Sequence, residues 1–273
     1  MSDCTHDCES CSQSCSEKDL HAQLNQYSCI RKVVAVSSGK GGVGKSSVTA
    51  MLAVLMARRG YKVGVLDADI TGPSIPKAFG LTRKAKATEL GIMPEETHMG
   101  IKVMSINLLL EHEDQPVVWR GPVLAGAVTQ FWTDVAWGDL DVLFIDMPPG
   151  TGDVPLTVFQ SIPLDGAVIV STPQSLVQMV VGKAHKMAEM LKIPVLGMVE
   201  NMSCVVCPDC GKRIPLFGDA DALDKAAQSM GVPVLARLPM DAQIARLCDS
   251  GEIERFVCDE MEPAAAAVEE LLK

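Results

Sequence analysis

At 273 residues, with 48% apolar side chains and a net charge of −10, the chain has material for one large α/β domain or two small ones, and its acidity argues against a nucleic-acid-binding face. No apolar run reaches the ~18 residues of a membrane span, and residues 1–29 are polar and cysteine-bearing rather than leader-like. Ten cysteines without a secretory leader point to a reducing cytoplasm, where clustered thiols hold metal more often than they form disulfides.

Residues 1–20 carry Cys4, Cys8, Cys11 and Cys15 among Ser, Asp, Glu and Gln. So polar a segment cannot bury a core and is expected to be flexible unless a metal organises it. On a helix the four sulfurs would share one stripe but spread over about 16 Å, so a common site requires an unwound loop. Four thiolates match a [4Fe–4S] cluster or a Cys₄ zinc; a redox-buffering tail is the other reading. The expected division is therefore a cysteine-rich segment, 1–29, and one domain, 30–273. Residues 20–32 read as a lead-in, and isolated Cys29 as a small buried hydrophobe.

The run Val33-Val34-Ala35-Val36 predicts a buried strand, and a helical pattern spans Val48 to Arg58. Between them Gly39, Lys40, Gly41, Gly42, Val43, Gly44, Lys45 and Ser46 fit G-x-x-x-x-G-K-[ST] without mismatch, with Ser47 following. The glycines let successive N–H groups curl inward around a phosphate, and the helix N-terminus behind them adds positive potential. Lys45 is placed on the β- and γ-phosphates and the Ser46 hydroxyl on Mg²⁺. Lys40 is a second lysine in the loop.

A second strand, Lys62 to Leu66, leads into Asp67-Ala68-Asp69-Ile70-Thr71-Gly72-Pro73-Ser74. Carboxylates at the C-terminal end of a parallel strand sit where α/β sheets keep their chemistry, although helix capping by one of them is also open. Residues 80–118 read as an excursion with a β-hairpin turning at His98-Met99-Gly100; His98 and His112 lack partners at ligand spacing. A helix is expected from Arg120 to about Ala136, and Trp119, Trp132 and Trp137 read as packing residues. The strand Asp141–Asp146 delivers Asp146 in the arrangement that holds Mg²⁺, ahead of Met147-Pro148-Pro149-Gly150-Thr151-Gly152-Asp153.

Further elements are expected at Gly166–Ser171 (strand), Ser175–Leu191 (helix) and Val195–Val199 (strand running into Glu200-Asn201-Met202). Cys207-Pro208-Asp209-Cys210-Gly211 has the form of a metal knuckle, with Cys204 three residues upstream as a spare thiol. One knuckle supplies two ligands where a tetrahedral site needs four. The simplest completion is a two-fold partner presenting the same pair, with structural zinc and a dithiol redox pair as other readings. A helix near 220–230, a strand at 232–236, the turn Pro239-Met240-Asp241 and a terminal helix at 263–273 complete the chain. Cys248 and Cys258 read as structural.

The K-G-G-V-G-K loop, D-x-D-x-x-G-P-S, D-x-P-P-G-T-G-D and C-P-x-C-G together resemble the Mrp/ApbC-type iron–sulfur cluster carrier ATPases of the MinD and nitrogenase-iron-protein class, over roughly residues 30–260. The resemblance implies a mostly parallel sheet flanked by helices and a face-to-face homodimer in which Lys40 reaches the partner's nucleotide. It gives Asp69 the attacking water, Asp67 the Mg²⁺ shell, Gly150 the γ-phosphate, Asn201 the adenine, and Pro239 and Asp241 the surroundings of the base. Cys207 and Cys210 from two subunits would bridge one [4Fe–4S] cluster. The implied function is an ATP-binding, slowly hydrolysing carrier that receives a cluster from scaffold or donor proteins and transfers it to apo-proteins. A MinD-like regulator would carry a basic amphipathic C-terminal helix, whereas Glu260–Lys273 is acidic and alanine-rich. A nitrogenase-reductase-like electron donor fits the C-P-x-C knuckle less well.

Overall fold

A computed structural model of the chain describes residues 21–70, 72–110, 121–217 and 221–273. The elements in order are β1 (Ser28–Ser38), α1 (Lys45–Arg58), β2 (Val63–Asp67), α2 (Ile75–Ala78), β3 (Lys86–Thr88), β4 (Gly91–Met93), β5 (Glu95–Glu96) and β6 (Lys102–Met104). They continue with α3 (Gly121–Thr133), β7 (Gly138–Asp146), α4 (Asp153–Ser161), β8 (Gly166–Ser171), α5 (Ser175–Met190) and β9 (Val195–Glu200). Last come β10 (Val205–Val206), β11 (Arg213–Ile214), α6 (Ala222–Met230), β12 (Val234–Arg237), α7 (Ala242–Ser250) and α8 (Glu262–Leu272).

Eight strands form one sheet in the order β12-β9-β8-β1-β7-β2-β6-β5. Every pairing is parallel except the edge hairpin β5–β6. The central strands are apolar on both faces because helices cover both. Val34, Val36, Val65 and Phe144 pack beneath α1 and α8, whereas Val33, Ala35, Leu143 and Ile145 pack beneath α3 and α4. Helix α1 is buried from Val48 to Met56, as its nearly unbroken apolar sequence requires. Trp132 and Trp137 are core residues, the latter donating from Nε1 to the Phe131 carbonyl at 3.1 Å.

The expected boundary at residue 29 falls inside β1, and the described residues just before it, from Ala22 on, are docked on the domain. The Ala22 N–H donates to the Ser161 carbonyl at 2.7 Å, and Trp132 Nε1 donates to the Ala22 carbonyl at 3.0 Å. Cys29 is exposed, not buried: it lies on the outward side of the first part of β1, where burial still alternates. The hairpin turning at residues 98–100 is β5–β6, and β6 is itself the sheet strand beside β2. A second hairpin, β3–β4, lies outside the sheet and was not foreseen. Cys4, Cys8, Cys11, Cys15, His112 and Trp119 lie outside the described residues.

Candidate nucleotide and metal sites

Parallel strands point their C-terminal ends to one side, and loops that leave them there build a cleft of about 270 Å³. Its walls include Ser38, Lys40, Gly41, Lys45, Asp69 and Pro149. The glycine loop leaves β1 with the Ser38 hydroxyl donating to the Lys40 carbonyl at 3.0 Å. Gly42 and Gly44 take φ of +79° and +80°, the left-handed region that glycine enters without strain. At Gly44 the reason is doubled, because a Cβ there would meet Asn201 Nδ2 at 2.1 Å.

At the foot of the cleft Lys45 Nζ lies 2.7 Å from Asp146 Oδ1, and Ser46 Oγ donates to Asp146 Oδ2 at 2.6 Å. Thr49, one helical turn beyond Lys45, donates to the same Oδ1 at 2.9 Å. Asp69 Oδ2 stands 4.0 Å from Lys45 Nζ. Asp67 and Asp146 pair in register across β2 and β7, both fully buried. Burial first, then the neighbouring Asp146 charge, pushes the Asp67 carboxyl well above the ordinary range. Asp67 accepts from the Ser105 hydroxyl at 3.1 Å and from the Asp69 and Ile75 N–H groups at 3.2 and 3.4 Å, which fixes the loop that presents Asp69. The Ser46 hydroxyl and the Asp146 carboxylate are hard oxygen donors converging from different elements, a set suited to Mg²⁺.

The other expected nucleotide residues make contacts of their own. The Gly150 N–H donates to the Ser38 carbonyl at 2.9 Å. Lys40 is exposed and donates to Gln174 Oε1 at 3.3 Å. Asn201 is buried; its Nδ2 donates to the Val43 carbonyl at 2.9 Å and its Oδ1 accepts from the Met202 N–H at 3.0 Å. Pro239 precedes α7, and the Asp241 carboxylate caps that helix by accepting from the Gln243 N–H at 2.7 Å. Thr49 and Ser105 are the residues that sequence reading missed. Thr49 was findable as the residue four past Lys45, on the same helix face; Ser105 was findable as the residue ending a strand beside β2.

The knuckle is an antiparallel hairpin of β10 and β11, closed by Cys207 N–H to the Lys212 carbonyl at 3.0 Å and Gly211 N–H to the Cys207 carbonyl at 2.9 Å. The backbone N–H groups of Cys210 and Asp209 point at the Cys207 sulfur and draw its thiol below the usual cysteine range. Cys207 is half-buried and Cys210 exposed, while Cys204 is buried at the root. Among the described residues no three His, Cys, Asp or Glu side chains gather closely enough to hold a metal. Cys248 and Cys258 are displaced upward by burial, the latter to about 11, as befits structural thiols. His98 is exposed.

A glycine loop at the end of β1, a lysine and serine opening α1 and an aspartate ending a neighbouring strand define the P-loop nucleoside triphosphatases of the MinD and ParA type. Within that class, a ParA-group family model described as the NUBPL iron-transfer P-loop NTPases matches residues 29–273, and the chain belongs to this family. The iron-sulfur cluster carrier protein of Methanocaldococcus jannaschii is 47% identical over 261 residues, covering 92% of this chain and 90% of that one. Its namesake in Clostridium perfringens is 45% identical over 241 residues, covering 85% and 84%. A nucleotide-binding protein from Archaeoglobus fulgidus, solved in complex with ADP, superposes with a TM-score of 0.77 at 48% identity, covering 85% of this chain and 91% of that one. The cell-division ATPase MinD of Pyrococcus furiosus, at 20% identity and a TM-score of 0.63, covering 88% and 99%, shares the fold. No helix among the described residues is long and apolar enough to cross a membrane.

Proposed function

We propose that the protein is a homodimeric, cytoplasmic carrier that binds and slowly hydrolyses ATP while it loads a [4Fe–4S] cluster and passes it to apo-proteins. The single observation that carries this reading is the pairing of a triphosphate-type cleft with a knuckle that owns two sulfurs. The names of the relatives supply the cargo, and the ADP in the Archaeoglobus structure supplies the nucleotide class.

In this reading the loop amides from Gly39 to Ser47 and the Lys45 ammonium hold the phosphates, Lys45 exchanging the Asp146 carboxylate for phosphate oxygens. Ser46 and Asp146, with Asp67 behind them, hold Mg²⁺, which supplies neutralisation of the charge on the phosphate oxygens. Asp69 orients the attacking water and takes its proton as the new P–O bond forms and the β–γ bridge breaks, releasing ADP and phosphate. Gly150 turns its N–H from Ser38 to the γ-phosphate, so hydrolysis releases that loop. Lys40 crosses to the partner's phosphates; Asn201, Pro239 and Asp241 border the base. The domain takes in the docked residues that lead into β1, and Cys4, Cys8, Cys11 and Cys15 form a second, N-terminal thiol site ahead of it.

The cargo sits between protomers. Cys207 and Cys210 of each chain supply four thiolates to one cluster, so nucleotide acts on cargo affinity only through the contact between subunits. Anaerobic reconstitution with iron and sulfide tests this. The expected result is a labile cluster that leaves for an apo-enzyme and activates it without added reductant. A cluster that stays bound and only delivers electrons would replace the carrier with a reductase.

A further inference from the structure

Two described residues other than glycine have positive φ, Lys192 at 58° and Met202 at 57°. Lys192 needs no special account: it follows α5, its N–H donates to the Glu189 carbonyl, and such left-handed residues commonly end helices. Met202 ends no helix. An unbranched apolar side chain gains nothing locally from this conformation, so its surroundings must impose it.

Those surroundings join the two sites. On one side of Met202, Asn201 is fixed to the phosphate loop by Nδ2 to the Val43 carbonyl at 2.9 Å, and to β8 by its N–H to the Ser171 carbonyl at 2.8 Å. Gly44 lies so close to that amide that only glycine fits. On the other side, the Ser203 N–H and hydroxyl both donate to the Leu238 carbonyl at 2.9 Å, and the Cys204 carbonyl accepts from the Met240 N–H at 2.7 Å. Strand β10 of the knuckle begins at the next residue. Strand β9 is anchored below the corner by the Glu200 carbonyl, which accepts from Leu238 N–H at 2.8 Å, and by Glu200 Oε2, 3.2 Å from Arg237 Nε. A path of two residues, pinned at both ends, therefore runs from the back of the phosphate loop to the root of the cysteine hairpin.

We infer that the Asn201–Met202 corner is a stiff brace through which occupancy of the phosphate loop sets the geometry of the Cys207–Cys210 knuckle within one protomer. This deepens the reading above and rests on its nucleotide site, but not on the identity of the cargo. A displacement of Val43 and Gly44 must pass through a corner whose backbone has few alternatives, so it reaches Ser203 and Cys204. Glycine at position 202 would take this φ freely and many others besides, and would absorb the displacement. Alanine would lack the Met side chain but keep the restriction.

The test uses the full chain, with MgADP as probe and the alkylation rate of Cys207 by iodoacetamide, resolved by peptide mass spectrometry, as readout. In the native sequence MgADP is expected to change that rate about fivefold, the low end of ordinary coupling between sites. Met202→Gly should still saturate with MgADP, its affinity shifted by no more than about fivefold, and reduce the ratio to near one, while Met202→Ala should retain it. A ratio that survives in Met202→Gly at saturating MgADP would overturn the brace. So would a native ratio of one, or a loss in Met202→Ala as large as in the glycine variant. Failure of the native chain to bind MgADP at all would strike the proposed function instead.

Discussion

The nucleotide cleft and the cysteine knuckle sit a few residues apart along the path from β9 but are built on opposite principles. In the cleft, the loop after β1, the start of α1, the ends of β2 and β7 and the loop after β7 all contribute from one chain, and Lys45, Ser46 and Thr49 all reach Asp146. At the knuckle, two thiols stand on a two-stranded hairpin with no third ligand among the described residues. On the proposed function the cleft is built mostly within one protomer, with Lys40 added from its partner. The knuckle instead waits on assembly for half its ligands, so nucleotide can govern cargo through the contact between subunits.

Lys45→Ala is the sharpest way to break the first half. It removes the proposed phosphate ligand and strands the Asp146 carboxylate, so MgATP and MgADP affinity should fall by more than about 100-fold in calorimetric titration. Retained affinity would move the nucleotide elsewhere. Replacing Cys207 and Cys210 together by Ala breaks the other half. Reconstituted interfacial iron should disappear while nucleotide binding stays, and undiminished iron would hand the ligand role to Cys204 or the N-terminal thiols.

Smaller effects sharpen the contrast. The Asp67 carboxyl is raised by burial and by Asp146, so its folded-state proton affinity exceeds that of the unfolded chain. It therefore contributes stability that is full below the ordinary carboxylate range near pH 4 and is lost as pH rises through the elevated folded value. Thermal denaturation from pH 4 upward should show that decline in the native chain and a flatter profile in Asp67→Asn; an equal slope in both would remove Asp67 as its source. Thr49→Val withdraws one of three donors to Asp146 and should cost about 1 kcal/mol in chemical denaturation. No loss would mean that Lys45 and Ser46 satisfy that carboxylate alone.

The cleft was legible because its parts follow rules of position: a phosphate loop is contiguous, and aspartates at the ends of parallel strands gather without being neighbours in sequence. The positions of β1, β2, β7, β8 and β9 along the chain followed from their apolar runs, though their order in the sheet did not. The pair β3–β4 did not, because Lys86-Ala87-Thr88 and Gly91-Ile92-Met93 show no alternation long enough to mark a strand. Cys29 was misplaced because a strand is not buried along its whole length; the first part of β1 alternates before Val33 enters the core. The knuckle's spacing announced its thiols, but the aim of the Asp209 and Cys210 amides at Cys207 is a property of the folded turn. Nothing in the letters Asn201-Met202 signals a left-handed methionine, since that angle is imposed by anchors at Val43, Ser171 and Leu238.

The central claim is that the knuckle is completed by a second copy of the chain, and the direct measurement is native mass spectrometry of anaerobically reconstituted protein, paired with a variant lacking residues 1–20 to remove the N-terminal thiols. The account predicts one [4Fe–4S] cluster per two truncated chains, with no cluster on the monomer. A truncated monomer that carries a complete cluster of its own would contradict it.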